Sequence, residues 1–255
     1  MVCHRRKEMN RFFVNQSHVE GQRIRLDRTE DIHHLSKVLR LGEGDQVMVS
    51  DSVEYEYLAT IKEMGRGEVW LQVEEKRLFQ REPRIRVTLF QGIPKQGKME
   101  FVVQKCTELG MDSMVPVFMD RTVVVDRGDY WKKVVRYQSI GEEAAKQCHR
   151  GKIPEIRQAI GTEDMLDWLK TFELVVFPYE EEKETTIKSF LRQEGLEKKR
   201  IALIIGPEGG FSPREADEIT AMGAVPVSLG KTILRTETAG MAAMAMMMYE
   251  LELLE

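Results

Sequence analysis

The chain has 255 residues, 42% of them hydrophobic, and a formal net charge of −4. That is apolar material for one large or two modest globular domains, on a chain too acidic overall to be a generic polyanion binder. No apolar stretch reaches membrane-span length, the start lacks a signal-peptide core, and Cys3, Cys106 and Cys148 stand apart without a Cys-x-x-Cys pair; a cytoplasmic protein without membrane anchor, disulfide or metal site is expected.

Residues 1–8 precede a second methionine, Met9, and read as a flexible extension, or as upstream of a translation start at Met9. Between Arg5 and Arg40 nine Lys or Arg residues face five Asp or Glu, a locally basic segment of the kind that contacts a polyanion. His34, Lys37 and Arg40 have helical spacing and are expected to share one face of a short helix. Residues 46–50, 55–61 and 68–73 alternate in polarity and are rich in β-branched and aromatic side chains, with Gly65-Arg66-Gly67 as a turn; they predict a small β-barrel domain over 9–75. A charged linker, 76–84, follows.

From residue 85 strands alternate with helices: 85–91, 98–109, 114–118, 129–148, 165–170, 174–177 and 186–191, followed by two further strand–helix units. This pattern predicts an α/β domain over 85–255 with a mostly parallel sheet. Gly92-Ile93-Pro94-Lys95-Gln96-Gly97-Lys98 satisfies the beginning of a phosphate-binding P-loop. Met99 stands where a Ser or Thr would hold magnesium, and Pro94 removes a cradle N–H, so nucleotide hydrolysis is rejected. Lys95, Lys98 and Lys105 are assigned instead to RNA phosphates.

The apolar run 201–205 is too short for a typical helix and reads as a strand buried on both faces. It stops at Gly206-Pro207-Glu208-Gly209-Gly210-Phe211, after which Ser212, Pro213 and Glu215 look like a capped helix start. Residues 225–229 repeat the logic, ending in Gly230-Lys231-Thr232-Ile233-Leu234-Arg235, with Thr236, Glu237 and Thr238 expected to cap a helix from Ala239 onward. Two glycine turns at the carboxyl ends of strands predict a ligand site at 206–211 and 229–238. The helix 237–253, with five methionines among alanines, is apolar most of the way round and is expected to be buried on more than one side, or against a second subunit.

Gly206 to Phe211, then Leu229-Gly230, then Ile233-Leu234-Arg235-Thr236-Glu237-Thr238-Ala239 resemble the ribosomal-RNA uridine-N3 methyltransferases of the RsmE type, in the SPOUT superfamily. So do Arg11-Phe12-Phe13, the stretch from His34 to Arg40, and Lys105-Cys106-Thr107-Glu108-Leu109-Gly110. The resemblance covers nearly the whole chain. It implies a PUA-like small β-barrel, a SPOUT α/β domain with a C-terminal trefoil knot that periodicity alone would not suggest, S-adenosylmethionine as donor, and a homodimer. The implied reaction is methylation at N3 of a uridine in 16S (small-subunit) ribosomal RNA, with the RNA within the assembled subunit. Cofactor contacts are expected from Pro178, Ile205, Gly206, Gly209, Leu229, Gly230, Ile233, Leu234, Thr236 and Thr238. RNA contacts are expected from Arg11, His34, Lys37, Arg40, Lys95, Lys98, Lys105 and Arg121. N3 must lose a proton before transfer; Arg235 is assigned to stabilise the deprotonated ring and Glu237 or Glu208 to take the proton, although Glu237 at a helix start is equally explained by the dipole. Methylation of another RNA or a ribose 2′-hydroxyl, and a noncatalytic RNA-binding or ribosome-assembly factor, are the alternatives.

Overall fold

The structure, a computed structural model, describes residues 9–252; the expectation for residues 1–8 lies outside them. The chain forms two compact units, one of Met1–Glu82 with Lys146–Ile153, the other of Pro83–Ala145 with Pro154–Glu255.

The first unit is built on β1 (Arg11–Phe13), β2 (Val19–Glu20), β3 (Arg23–Leu26), α1 (Thr29–His33), β4 (Gln46–Ser50), β5 (Tyr55–Met64) and β6 (Val69–Leu78). These strands make one sheet in the order β1-β4-β5-β6-β3-β2, antiparallel except for β1 against β4. Alternate side chains of the strands, among them Phe12, Ile24, Leu26, Val47, Val49, Tyr57, Ala59, Ile61, Val69 and Leu71, form one buried cluster, as period-two patterning requires. Register shifts in the β5–β6 ladder between Leu58 and Ala59 and between Ile61 and Glu63 let these long strands bend, so the sheet curls around that cluster. The β6 strand runs to Leu78, three residues into the stretch read as linker. Segment Lys146–Ile153 belongs to this unit: Lys146 Nζ lies 3.1 Å from Asp31 Oδ1, and Glu82 accepts the N–H groups of Gly151 and Lys152 at 2.7 and 3.1 Å.

The second unit contains β7 (Arg86–Gly92), α2 (Lys98–Glu108), β8 (Ser113–Phe118), α3 (Trp131–Gln147), β9 (Glu155–Ile156), β10 (Ile160–Gly161), α4 (Thr162–Leu169), β11 (Leu174–Pro178), α5 (Ile187–Phe190), β12 (Arg200–Ile205), α6 (Pro213–Ala221), β13 (Val225–Val227) and α7 (Thr236–Glu252). Its sheet is wholly parallel, in the order β10-β8-β7-β12-β11-β13, with β9 also on β8. The unbroken apolar run of β12 is explained by burial on both faces. Ile201, Leu203 and Ile205 enter a core with Val102, Val134, Ile187, Met244 and Met247, while Ala202 and Ile204 enter another with Met165, Leu169, Ala216 and Ile219. Thus α2, α3, α5 and α7 cover one face, and α4 and α6 the other.

Helix α6 starts as its sequence predicts. Ser212 caps it in a reciprocal capping box with Glu215, and Pro213 occupies the first turn. Glu215 is fully buried, and its carboxylate also accepts the Asp120 N–H at 2.9 Å and the Thr162 hydroxyl at 3.0 Å. Glu215→Ala would strand these donors together with the Ser212 N–H, which it accepts at 2.9 Å. At about 1–3 kcal/mol per stranded buried group, urea denaturation should show a loss of roughly 3 kcal/mol or more, with Glu215→Gln losing less.

Helix α7 begins at Thr236, three residues ahead of the expected start: the Ala239 N–H already donates to the Arg235 carbonyl, at 2.8 Å, so the helical ladder opens there. Its burial is narrower than its composition suggests. Gly240, Ala243, Met244, Met247 and Glu250 are buried, whereas Ala245, Met246 and Tyr249 are exposed. Among the described residues no helix is long and apolar enough to cross a membrane.

Candidate active site

In the second unit the loops leaving the carboxyl ends of β11, β12 and β13, with the first residues of α2 and α7, enclose a cavity of ≈ 1070 Å³. This is where a parallel sheet offers converging loops and free helix N–H groups. The β12 turn closes with the Gly210 N–H on the Pro207 carbonyl at 3.0 Å, and Gly210 has φ +68°, a left-handed conformation that favours glycine. Phe211, 4% exposed, packs edge-on against Phe177, ring centroids 4.9 Å apart, and lies under Gly206, where a Cβ would come 3.1 Å from its ring. Gly230 adopts φ +136°, which only glycine takes readily. The turns therefore present main chain to the cavity, over walls supplied by Pro178, Ile205, Leu229, Leu234 and Ala239.

A buried bridge ties the two turns to β7. The Gln91 side chain donates from Nε2 to Thr236 Oγ1 at 2.8 Å, and the Thr236 hydroxyl donates to the Gly206 carbonyl at 2.5 Å. The Thr236 hydroxyl thus fastens one cavity turn to the other.

Of the expected cofactor contacts, Pro178, Ile205, Gly206, Leu229, Gly230, Ile233, Leu234 and Thr236 line the cavity, while Gly209 and Thr238 do not. Ile233 is 85% exposed, at the rim rather than in a wall. The lining also includes residues with no sequence signal beyond their nearness to Pro178, namely Tyr179, Glu180, Glu182, Lys183 and Thr186 on the β11 loop.

Arg235 and Glu208 both line the cavity. Glu237 is not among the lining residues, but it meets Glu208 through Lys98, whose ammonium lies 3.0 Å from Glu208 Oε1 and 3.3 Å from Glu237 Oε2. Burial pushes the Glu208 carboxyl up, but the hydrogen bond from Lys98 and those from backbone N–H groups outweigh it, and the net shift is downward. The hydrogen bond to Glu208 likewise leads in raising the Lys98 ammonium. As pH falls through the lowered folded-state value of Glu208, that carboxylate loses its charge, and the stability contributed by its pairing with Lys98 is lost.

The remaining expected RNA contacts are not among the residues that line the cavity. Arg121 donates to the Gly209 carbonyl at 2.8 Å, on the outer side of the β12 turn. Lys95 is exposed and gives its backbone N–H to Glu208, and Lys105 is paired with Glu108 at 2.8 Å. In the first unit, His34 and Lys37 are exposed on the helical turn His34–Val38. Arg40 lies beyond that turn at φ +55°, so the three do not form one helical face. Arg11 is not a free surface cation: its side chain is 6% exposed and gives Nη2 to Glu56 at 2.7 Å. Among the described residues no group of three His, Cys, Asp or Glu side chains gathers to hold a metal.

The fold comprises a parallel-sheet α/β unit that carries the cavity and a curled β unit, and comparison with known proteins gives the class. Residues 80–248 match the family model described as an RNA methyltransferase domain, and residues 26–74 that of an RNA methyltransferase PUA domain. The chain belongs to this RNA methyltransferase family. It is 34% identical to the ribosomal RNA small subunit methyltransferase E of Bacillus subtilis, over 88% of this chain and 90% of that one. Two solved structures superpose closely. A methyltransferase from Legionella pneumophila in complex with the cofactor SAM has a TM-score of 0.82 at 30% identity, covering 94% of this chain and 97% of its own. The ribosomal RNA small subunit methyltransferase E of Neisseria gonorrhoeae bound to S-adenosyl methionine has a TM-score of 0.82 at 27% identity, covering 95% and 98%.

Proposed function

We propose that the protein methylates N3 of a uridine in 16S ribosomal RNA, with S-adenosylmethionine as donor and the assembled small subunit as substrate. The observation that carries this reading is the cavity itself, built from both glycine turns in a chain of the RNA methyltransferase family whose relatives are ribosomal RNA small subunit methyltransferases. Its lining suits the donor's chemistry: main-chain groups at Gly206 and Gly230 for an adenine edge, apolar walls at Ile205, Leu229 and Leu234, carboxylates at Glu180 and Glu182 for an ammonium. When bound, the donor supplies an electrophilic methyl group. The protein's part is to hold the uracil and remove its N3 proton. Arg235 faces the ring carbonyls and stabilises the deprotonated base, and Glu237 or Glu208 accepts the proton.

N3 lies on the Watson–Crick edge, so the target must be unpaired or flipped out when it reacts. His34, Lys37, Arg40, Lys95, Lys105 and Arg121 supply cations for the RNA backbone, with Arg11 acting through its pairing to Glu56. The C-terminal segment is threaded as a trefoil knot, with Gly92 passing against Gly206 and Pro207. The exposed stripe Ala245, Met246 and Tyr249 on α7 is the natural seat of a second copy, giving a cytoplasmic homodimer.

The test is incubation with S-adenosylmethionine and small subunits from a strain lacking the enzyme, followed by nucleoside mass spectrometry. New 3-methyluridine is the expected result. A different methylated nucleoside would overturn the assigned target atom.

A further inference from the structure

Lys98 occupies an unusual place. It is the first residue of α2 after Gly97, where the helix dipole disfavours a cation and where an acid would be stabilising. Its ammonium reaches carboxylates on two other elements, Glu208 in the β12 turn, 110 residues away, and Glu237 in the first turn of α7. Glu208 is held from a second side by the Lys95 backbone N–H at 3.0 Å. Oε2 of Glu237 is buried and makes no aligned hydrogen bond, so its counter-charge is the Lys98 ammonium. A buried carboxylate oxygen without that ammonium would be strongly disfavoured as an anion. Arg235, two residues before Glu237 and on the cavity lining, has no ion pair or hydrogen bond to its guanidinium among the described residues. Lys98 is thus the tethered cation of the cavity lining, whereas Arg235, like Lys183 and Lys231, carries no ion pair among the described residues.

We propose that Lys98 is a positioning residue of the transfer site: it clamps Glu237 and Glu208 together, fixes the heads of α2 and α7 on either side of the β12 turn, and presents the second oxygen of Glu237 to the substrate. This rests on the uridine-N3 reading given above. In the proton step the N3–H bond breaks, its electron pair stays on the ring, and the proton bonds to the Glu237 carboxylate, while Lys98 keeps its own proton and stays paired with Glu208. The clamp assigns Lys98 to the carboxylates rather than to an RNA phosphate, and it assigns the base to Glu237.

A double-mutant cycle tests this. Single-turnover rates with saturating donor would be measured for the wild type, Lys98→Met, Glu237→Gln and the double variant, with equilibrium binding of donor and RNA for each. Lys98→Met should slow the step by about 10²-fold, the scale of a misplaced catalytic group, while RNA affinity and its salt dependence hold. In the Glu237→Gln background the same change should cost less than about threefold, since contacting residues are non-additive. Lys98→Arg, which keeps the charge and is the variant to rely on if methionine prevents folding, should recover most of the rate.

Equal losses in both backgrounds, with weaker RNA binding and a salt slope shallower by about one, would overturn the clamp and make Lys98 a phosphate contact. Wild-type turnover in Glu237→Gln would overturn the assigned base. Absence of 3-methyluridine from the wild type would instead sink the reading of the reaction on which the clamp rests.

Discussion

Gly92→Ala is expected to cost roughly 3 kcal/mol or more of stability and to abolish donor binding, and Gly92→Val to prevent folding of the second unit. A Cβ on Gly92 would lie 2.5 Å from the Pro207 nitrogen, 2.7 Å from its Cδ and 2.8 Å from the Gly206 carbonyl carbon. An added methyl in a packed core typically costs about 1–3 kcal/mol when neighbouring side chains can shift. Here two of the three nearest atoms are backbone, and they belong to a cavity turn that cannot yield without moving Gly206. Its carbonyl is held by Thr236, so the displacement would pass to the head of α7. Gly67→Ala is the matched control, since nothing lies within 4 Å of a Cβ there; it should stay within about 0.5 kcal/mol of the wild type, as open surface positions do. Calorimetry of donor binding with urea denaturation reads both quantities. Normal binding by Gly92→Ala would mean that the contact between the end of β7 and the β12 turn is looser than the packing indicates.

The same contact shows where sequence reading works and where it stops. Strands β7 and β12 are legible because burial on both faces demands unbroken apolar runs, and Gly206 to Gly210 is legible because glycine marks turns that other residues resist. Ser212 is legible as a cap because its partner, Glu215, is three residues away. Strands β1, β2 and β3 escape because they have only three, two and four residues and set charged side chains against buried ones. The start of α7 is misjudged because the Thr236 hydroxyl, a good local cap, is taken by Gly206 and by Gln91, 145 residues away. The Lys98 cluster and the β11 loop are hidden for the same reason, since their partners meet only in the fold. The basic helix near residue 34 fails locally: Arg40 turns left-handed and leaves the face that simple spacing gave it.

Arg235→Ala should lower the transfer rate by about 10²–10³-fold, the loss seen when one preorganised group stabilising transition-state charge is removed. Donor affinity should change by less than about threefold, because the walls and turns of the cavity remain. The assignment rests on an uncommitted charge and, against Lys183 and Lys231 on the same lining, on the shape of the guanidinium. Lys98 is neutralised by two carboxylates, Arg121 is spent on the Gly209 carbonyl, and Arg11 on Glu56. Arg235 lines the cavity with its charge uncommitted among the described residues, immediately before the helix that carries Glu237. A planar fork of donors can span a ring carbonyl and its neighbour as negative charge develops there, whereas an ammonium is a point charge. Arg235→Lys should therefore recover about tenfold and no more. The deficit of Arg235→Ala should also shrink as pH rises, because solvent then keeps more of the uracil deprotonated and less stabilisation is asked of the protein. A deficit constant with pH and accompanied by lost donor binding would move Arg235 from the base to the donor.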